Sequence, residues 1–84
     1  MATHVLNLLP QFFDDVASGT KPFEIRRGRT FDVGDVLIFR ESRNGVATGR
    51  SCQVTVSYVR PPSGRYGIPD DVVIVGLRDP RMVS

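Results

Sequence analysis

The spacing of apolar residues changes period along this chain, and each change marks an element. His4-Val5-Leu6-Asn7-Leu8, with β-branched and leucine side chains, reads as a short opening strand. Leu9, Phe12, Phe13, Val16 and Ala17 then recur at helical spacing and predict a helix over Leu9–Ser18 with one apolar face. Pro10 suits the first turn, where its missing N–H costs nothing, and Gly19 supplies a left-handed stop. Beyond Gly19 the period becomes two. Phe23 and Ile25 share one face of a strand and Glu24 and Arg26 the other, and the apolar face is assigned to the core. Arg27-Gly28-Arg29-Thr30 is a basic turn. Val36-Leu37-Ile38-Phe39, after Gly34-Asp35, is apolar enough for burial on both faces. Asn44-Gly45 signals a tight turn, with a connection extending to Thr48-Gly49 and hence a hairpin loop of more than two residues. Cys52, Val54, Val56 and Tyr58 alternate with Gln53, Thr55 and Ser57 as a half-buried strand, which places Cys52 and Tyr58 in the core. Arg60 to Gly67 is a loop by composition. Val72 to Leu77 is the last strand, and the tail beyond Pro80 is expected to fray.

Five strands and one early helix, without repeat or linker, predict an α+β, mostly β domain over residues 1–84. The expected form is a small barrel of about five strands with the helix over one opening, since closure removes exposed edges; an open α+β sheet is the alternative. The expected core is Phe12, Phe13, Val16, Phe23, Ile25, Leu37, Phe39, Val54, Val56, Ile74 and Leu77.

Composition narrows the functional classes. No run approaches the roughly 18 apolar residues of a membrane span, so no membrane partner is expected. The lone Cys52 excludes an intrachain disulfide framework, and without a basic, then apolar leader this points to the cytosol. One histidine and one cysteine far apart give no metal ligand set. No glycine-rich phosphate loop is present, because Gly64-Arg65-Tyr66-Gly67 has the wrong spacing, and no cofactor is expected. Eleven basic against nine acidic residues give +2, too little for general polyanion binding. Ten of the eleven are arginine, whose planar fork suits phosphates and base edges. Lys21 is the only lysine.

Lys21 stands in the stretch Gly19-Thr20-Lys21-Pro22-Phe23-Glu24-Ile25-Arg26. Gly19 reverses the backbone, Lys21 follows at the rim between helix and strand, and Glu24 and Arg26 share a strand face where they can pair. Such a trio can hold one phosphate and one polar base edge. The structural alternative is that Lys21 neutralises the helix C-terminus, worth about 0.3–1 kcal/mol, while Glu24 and Arg26 form a surface pair worth about 0–1 kcal/mol. If the trio serves function, truncating any of the three is expected to leave folding nearly intact, whereas for a plain structural pair the melting temperature is expected to shift and ligand binding is not. His4 reads as a satisfied structural histidine or a polar cleft contact. Of the two candidate base-stackers, Tyr58 falls to the core by its alternation and Tyr66, in the arginine-flanked loop, is the better one.

The stretch resembles the G-x-K-x-x-E-x-R signature of ASCH domains, a branch of the PUA-like superfamily linked to RNA. His4-Val5-Leu6, the Pro-Gln-Phe-Phe-Asp-Asp helix, Phe31 to Leu37, Arg40-Glu41 and Thr48-Gly49-Arg50 extend the resemblance over residues 4 to 77. Together they resemble the short DUF3850 family, common in phages and bacteria. The resemblance implies a PUA-like barrel and a module binding RNA or a nucleotide, single-stranded by preference, through Lys21, Glu24, Arg26, Arg27, Arg29 and Tyr66. A monomer is expected. It also implies a second class, a metal-free hydrolase of RNA or a modified nucleoside, since some ASCH proteins deacetylate N4-acetylcytidine and others are ribonucleases. Lys21 and Glu24 would then be catalytic, but Glu24 stands where the deacetylating relatives carry a threonine nucleophile. A third class is a phage-encoded factor that binds a host protein.

Overall fold

The computed structural model describes residues 1–60 and 65–83. Strand β1 (Thr3–Leu8) is followed by helix α1 (Pro10–Ala17) and strands β2 (Phe23–Arg27), β3 (Val36–Arg43), β4 (Val46–Arg60) and β5 (Val72–Val83). The strands form one sheet in the order β1-β3-β4-β5-β2. β1 runs parallel to β3 and the other neighbours are antiparallel. A parallel pair needs a crossover rather than a hairpin, and here the crossover carries both α1 and β2. The sheet curls into a half-barrel with β1 and β2 at its two ends.

The concave face holds the core. Leu6 and Leu8 of β1, Leu37 and Phe39 of β3, Cys52, Val54 and Val56 of β4, and Val73, Val75 and Leu77 of β5 are buried there at alternate positions. Phe13 and Val16 of α1 pack onto them. The helix starts as expected, with Pro10 in its first turn, and Leu9 in the N-cap position makes no side-chain cap. Ser18 closes its last turn and Gly19 turns away at φ +83°.

Two buried carboxylates pin the strands. Asp35 accepts hydrogen bonds from the Ala2 and Asp32 N–H groups, both at 2.9 Å, and pairs with His4 Nε2 at 2.8 Å. His4 is thus a satisfied structural residue, with its ring edge-on to Phe31. The Ala2 and Asp32 amides, then His4, hold the Asp35 carboxyl down at about 2. Glu41 is held down to about 2 by the Arg50 guanidinium and then the Thr48 hydroxyl. Because both carboxyls are more acidic folded than unfolded, protons bind the unfolded chain first on acidification. Stability is therefore expected to be full above about pH 5 and to fall progressively toward about pH 2. Urea unfolding at pH 7, 4 and 2.5 checks this, and Asp35→Asn should flatten the decline.

Several expectations are corrected. Phe23 and Ile25 are not core residues: they are 42% and 51% exposed, and Glu24 on the opposite face is 4% exposed. Alternation says which residues share a face, not which face looks inward. Phe12 is 38% exposed, because adjacent helix residues lie about 100° apart and Phe13 takes the inward position. Ile74 is half-buried on the outer face, as are Val36 and Ile38. The hairpin loop is the two residues Asn44 and Gly45, at φ 52° and 79°, the paired positive values of a type I′ turn. The tail is not frayed: β5 continues through Val83, with Arg81, Met82 and Val83 opposite Gln53, Cys52 and Ser51.

Tyr58 is also corrected, from core to 62% exposed. Val56 faces Leu77 and Tyr58 faces Gly76, so Ser57 and Tyr58 together oppose one residue of β5. That bulge shifts the parity of β4: Tyr58 turns outward and Val59 packs against the core. Of the expected loop, residues 61–64 lie outside the described residues, and Arg65–Gly67 form a single 3₁₀ turn.

Candidate functional site

Strand β2 is five residues at an end of the sheet, hydrogen-bonded on one side only, to β5. The Leu77 N–H donates to Pro22 O and the Gly28 N–H to Asp71 O. These bonds bracket the antiparallel pairing and fix its register. Phe23 and Ile25 face outward, and Glu24 and Arg26 face the mouth of the half-barrel.

At that mouth Glu24 is the hub. Its Oε1 lies 3.3 Å from Lys21 Nζ and accepts from the Ile25 N–H at 3.3 Å. Its Oε2 accepts from Arg26 Nε at 2.9 Å and lies 2.8 Å from Arg26 Nη2. Burial of a carboxylate is costly unless it is paired and hydrogen-bonded, and here every oxygen has a cation. Arg26 Nη2 also donates to the Asn7 carbonyl at 2.7 Å. One guanidinium thus spans the gap between β1 and β2, the two ends of the sheet. Its Cζ stands 5.9 Å from the Phe39 ring centroid, at the margin of the core.

Lys21 sits between two aromatic faces, its Nζ 4.6 Å from the Phe12 ring centroid and 5.4 Å from that of Phe23. The turn that sets it there is short, with the Lys21 N–H donating back to Asp15 O in α1 at 2.9 Å. Lys21 and Arg26 are mostly buried yet reach solvent, so the ammonium and guanidinium are presented at the surface of a buried carboxylate.

A cleft of about 460 Å³ opens over this trio, with Leu8, Leu9 and Phe12 as one wall and Phe23, Ile25 and Arg27 as the other. Of the residues predicted from sequence, Lys21, Glu24, Arg26 and Arg27 therefore line one cleft. Arg27 is exposed and bound through one nitrogen to both oxygens of Asp71, at 2.7 and 2.8 Å. Arg29, in the following turn, and Tyr66, at φ 58° in the 3₁₀ turn, are exposed and do not line the cleft. Sequence reasoning missed the apolar wall. Its one available signal was the Phe12-Phe13 pair, which cannot both face the core of a single helix.

A second polar cluster lies across α1. Arg50 reaches Asp14 of the helix at 2.7 Å and Glu41 of β3 at 2.7 Å, over the Phe13 ring at 4.6 Å. It ties helix to sheet. Among the described residues no three His, Cys, Asp or Glu side chains are grouped to hold a metal ion. Among them, too, no helix is long and apolar enough to cross a membrane.

The fold has a counterpart among solved structures. A crystal structure of a point mutant of ZmASCH, from Zymomonas mobilis, superposes with a TM-score of 0.69 at 17% sequence identity. The match covers 95% of this chain and 71% of that one. Identity at that level carries the architecture, a mostly β half-barrel with one helix. No curated protein matches the sequence. The profile of DUF3850, a domain of unknown function, matches residues 3–77, from the first strand through the half-barrel to Leu77. This chain, with its Lys21–Glu24–Arg26 cleft inside that span, belongs to the DUF3850 family.

Proposed function

We propose that the chain is a binding module for single-stranded RNA or a nucleotide, with the Lys21–Glu24–Arg26 cleft as its site. The observation that carries this is the shared carboxylate. Two cations held by one buried Glu24 leave a net single positive charge at the floor of a cleft with apolar and aromatic walls. That combination suits one phosphate together with one base or sugar. It does not suit a polyanion track, where many phosphates must be neutralised in a row. The volume falls in the range of about 300–1,000 Å³ typical of small-ligand sites. The ASCH-like architecture supports the same reading.

The geometry favours a positioning role for Glu24 over general-base catalysis. A base needs a free lone pair aimed at the proton it takes, and both Glu24 oxygens are engaged by Lys21, Arg26 and the Ile25 amide. The carboxylate here fixes two donors in space.

Titration of a labelled oligoribonucleotide at two ionic strengths tests the proposal. Weak, salt-sensitive binding is expected, with a log–log salt slope of about −0.7 from the one cleft phosphate, steepening to about −2 with two further phosphates near Arg27 and Arg29. Lys21→Ala should abolish cleft binding. Arg27→Ala and Arg29→Ala together should weaken all sequences alike and flatten the slope. Affinity independent of salt, or unchanged in Lys21→Ala, would overturn the reading.

A further inference from the structure

Next to the cleft, among the described residues, the outer face of β2, β5 and β4 carries exposed aromatic side chains. Phe23 stands opposite Gly76 and Gly76 opposite Tyr58, so the three residues form one row across three strands. Phe23 and Tyr58 are large, aromatic and exposed, and Ile25 extends the patch along β2. Tyr58 faces outward only because of the bulge at Ser57 and Tyr58, and bulges commonly serve to re-aim a side chain. Gly76 permits that bulge. A Cβ there would stand 2.8 Å from Ser57 Oγ and 3.3 Å from Tyr58 Cβ. The same absence of a side chain leaves the floor between the two aromatic residues bare.

We infer that Phe23, Gly76 and Tyr58 form a stacking slot for a second nucleobase, the neighbour of the nucleotide in the cleft. The inference rests on the proposed nucleotide-binding reading and extends it from one nucleotide to two. Strands two apart place the Phe23 and Tyr58 backbones about 10 Å from each other. Strand side chains stand roughly perpendicular to the sheet. A planar ring inserted between two such rings needs about 7–8 Å, two van der Waals contacts. Base–aromatic stacking is tolerant of sequence because every base has a π-face. The occupant is set by continuity and charge. Phe23 belongs both to the row and to the cleft wall, so a strand leaving the cleft over β2 meets the slot next. Arg78 on β5, two residues beyond Gly76 and more than half exposed, stands beside the row, where the phosphate linking the two nucleotides would pass.

The test uses the full chain with adenosine 5′-monophosphate and a four-residue oligoadenylate. The oligonucleotide should bind more tightly than the mononucleotide. Tyr58→Ala should weaken the oligonucleotide about five- to a hundredfold and leave the mononucleotide unaffected, while Tyr58→Phe should retain most of the affinity. The chain has two tyrosines and no tryptophan, so in a Tyr66→Phe background the fluorescence reports Tyr58 alone. It should be quenched by the oligonucleotide and not by the mononucleotide. Equal oligonucleotide affinity in Tyr58→Ala and the parent, with binding still lost in Lys21→Ala, would overturn the slot and leave the cleft standing. Binding of neither probe would overturn both. Self-association of the parent that Tyr58→Ala abolishes would overturn the slot in favour of a second copy of the chain on this face.

Discussion

Glu24→Ala is expected to lower stability by about 2–4 kcal/mol, which for a domain of this size is about 10–30 °C in melting temperature. The reason is burial. The carboxylate is 4% exposed and receives charge-assisted bonds from Lys21 and Arg26. Its removal leaves two partly buried cations side by side without their counter-charge. Arg26 would also lose the partner that aims it at the Asn7 carbonyl, loosening the seam between β1 and β2. An exposed pair would cost at most about 1 kcal/mol, so thermal melting separates the two cases cleanly. Glu24→Gln keeps the shape and should cost about half as much. Its effect on ligand is the more informative measurement. Losing the negative charge raises the local positive charge by one, so the salt slope for oligoribonucleotide should steepen by about 0.7. The loss of positioning should nevertheless lower affinity about tenfold at high salt, where screening removes the general attraction. Hydrolysis of RNA or of an acetylated nucleoside by the parent, lost in Glu24→Gln, would instead make Glu24 a catalytic base.

The other large effect is expected in α1. Phe13→Ala should destabilise the chain by about 3–5 kcal/mol, a large part of the roughly 5–15 kcal/mol that holds a typical domain together. Phe13 is fully buried against the sheet and supports the Arg50 guanidinium that binds Asp14 and Glu41. Phe12→Ala, one residue away, should cost less than about 1.5 kcal/mol, since its ring is 38% exposed. It should instead weaken ligand binding, because the ring forms a cleft wall and flanks Lys21. Urea denaturation at constant m-value checks the first contrast, and mononucleotide titration the second.

Local rules in the sequence determined much of this protein. Pro10 and Gly19 delimit the helix because one lacks an N–H and the other tolerates positive φ. Alternation in β4 up to Val56 placed Cys52, Val54 and Val56 on one buried face, and the apolar run of β3 marked Leu37 and Phe39 for burial. The spacing of Lys21, Glu24 and Arg26 put them together, since a strand returns to the same face every second residue and the turn after Gly19 is short. What only the tertiary structure decided depends on contacts distant in sequence. β2 carries one apolar and one charged face of similar size, and local pattern favours burying the apolar one. The outcome was set at the end of the half-barrel, where Lys21 and Arg26 satisfy a buried Glu24 and Arg26 is itself anchored by donating to the Asn7 carbonyl of β1. Tyr58 fits the alternation of β4 but is displaced by a bulge that Gly76, on another strand, accommodates by lacking a side chain. The tail after Pro80 has the composition of a frayed end, yet β4 is 15 residues long and its first half offers Ser51 to Gln53 as pairing partners. Periodicity reports the local chain, whereas the inward face, the parity across a bulge and the length of a paired strand are fixed by the neighbour that supplies the missing hydrogen bonds.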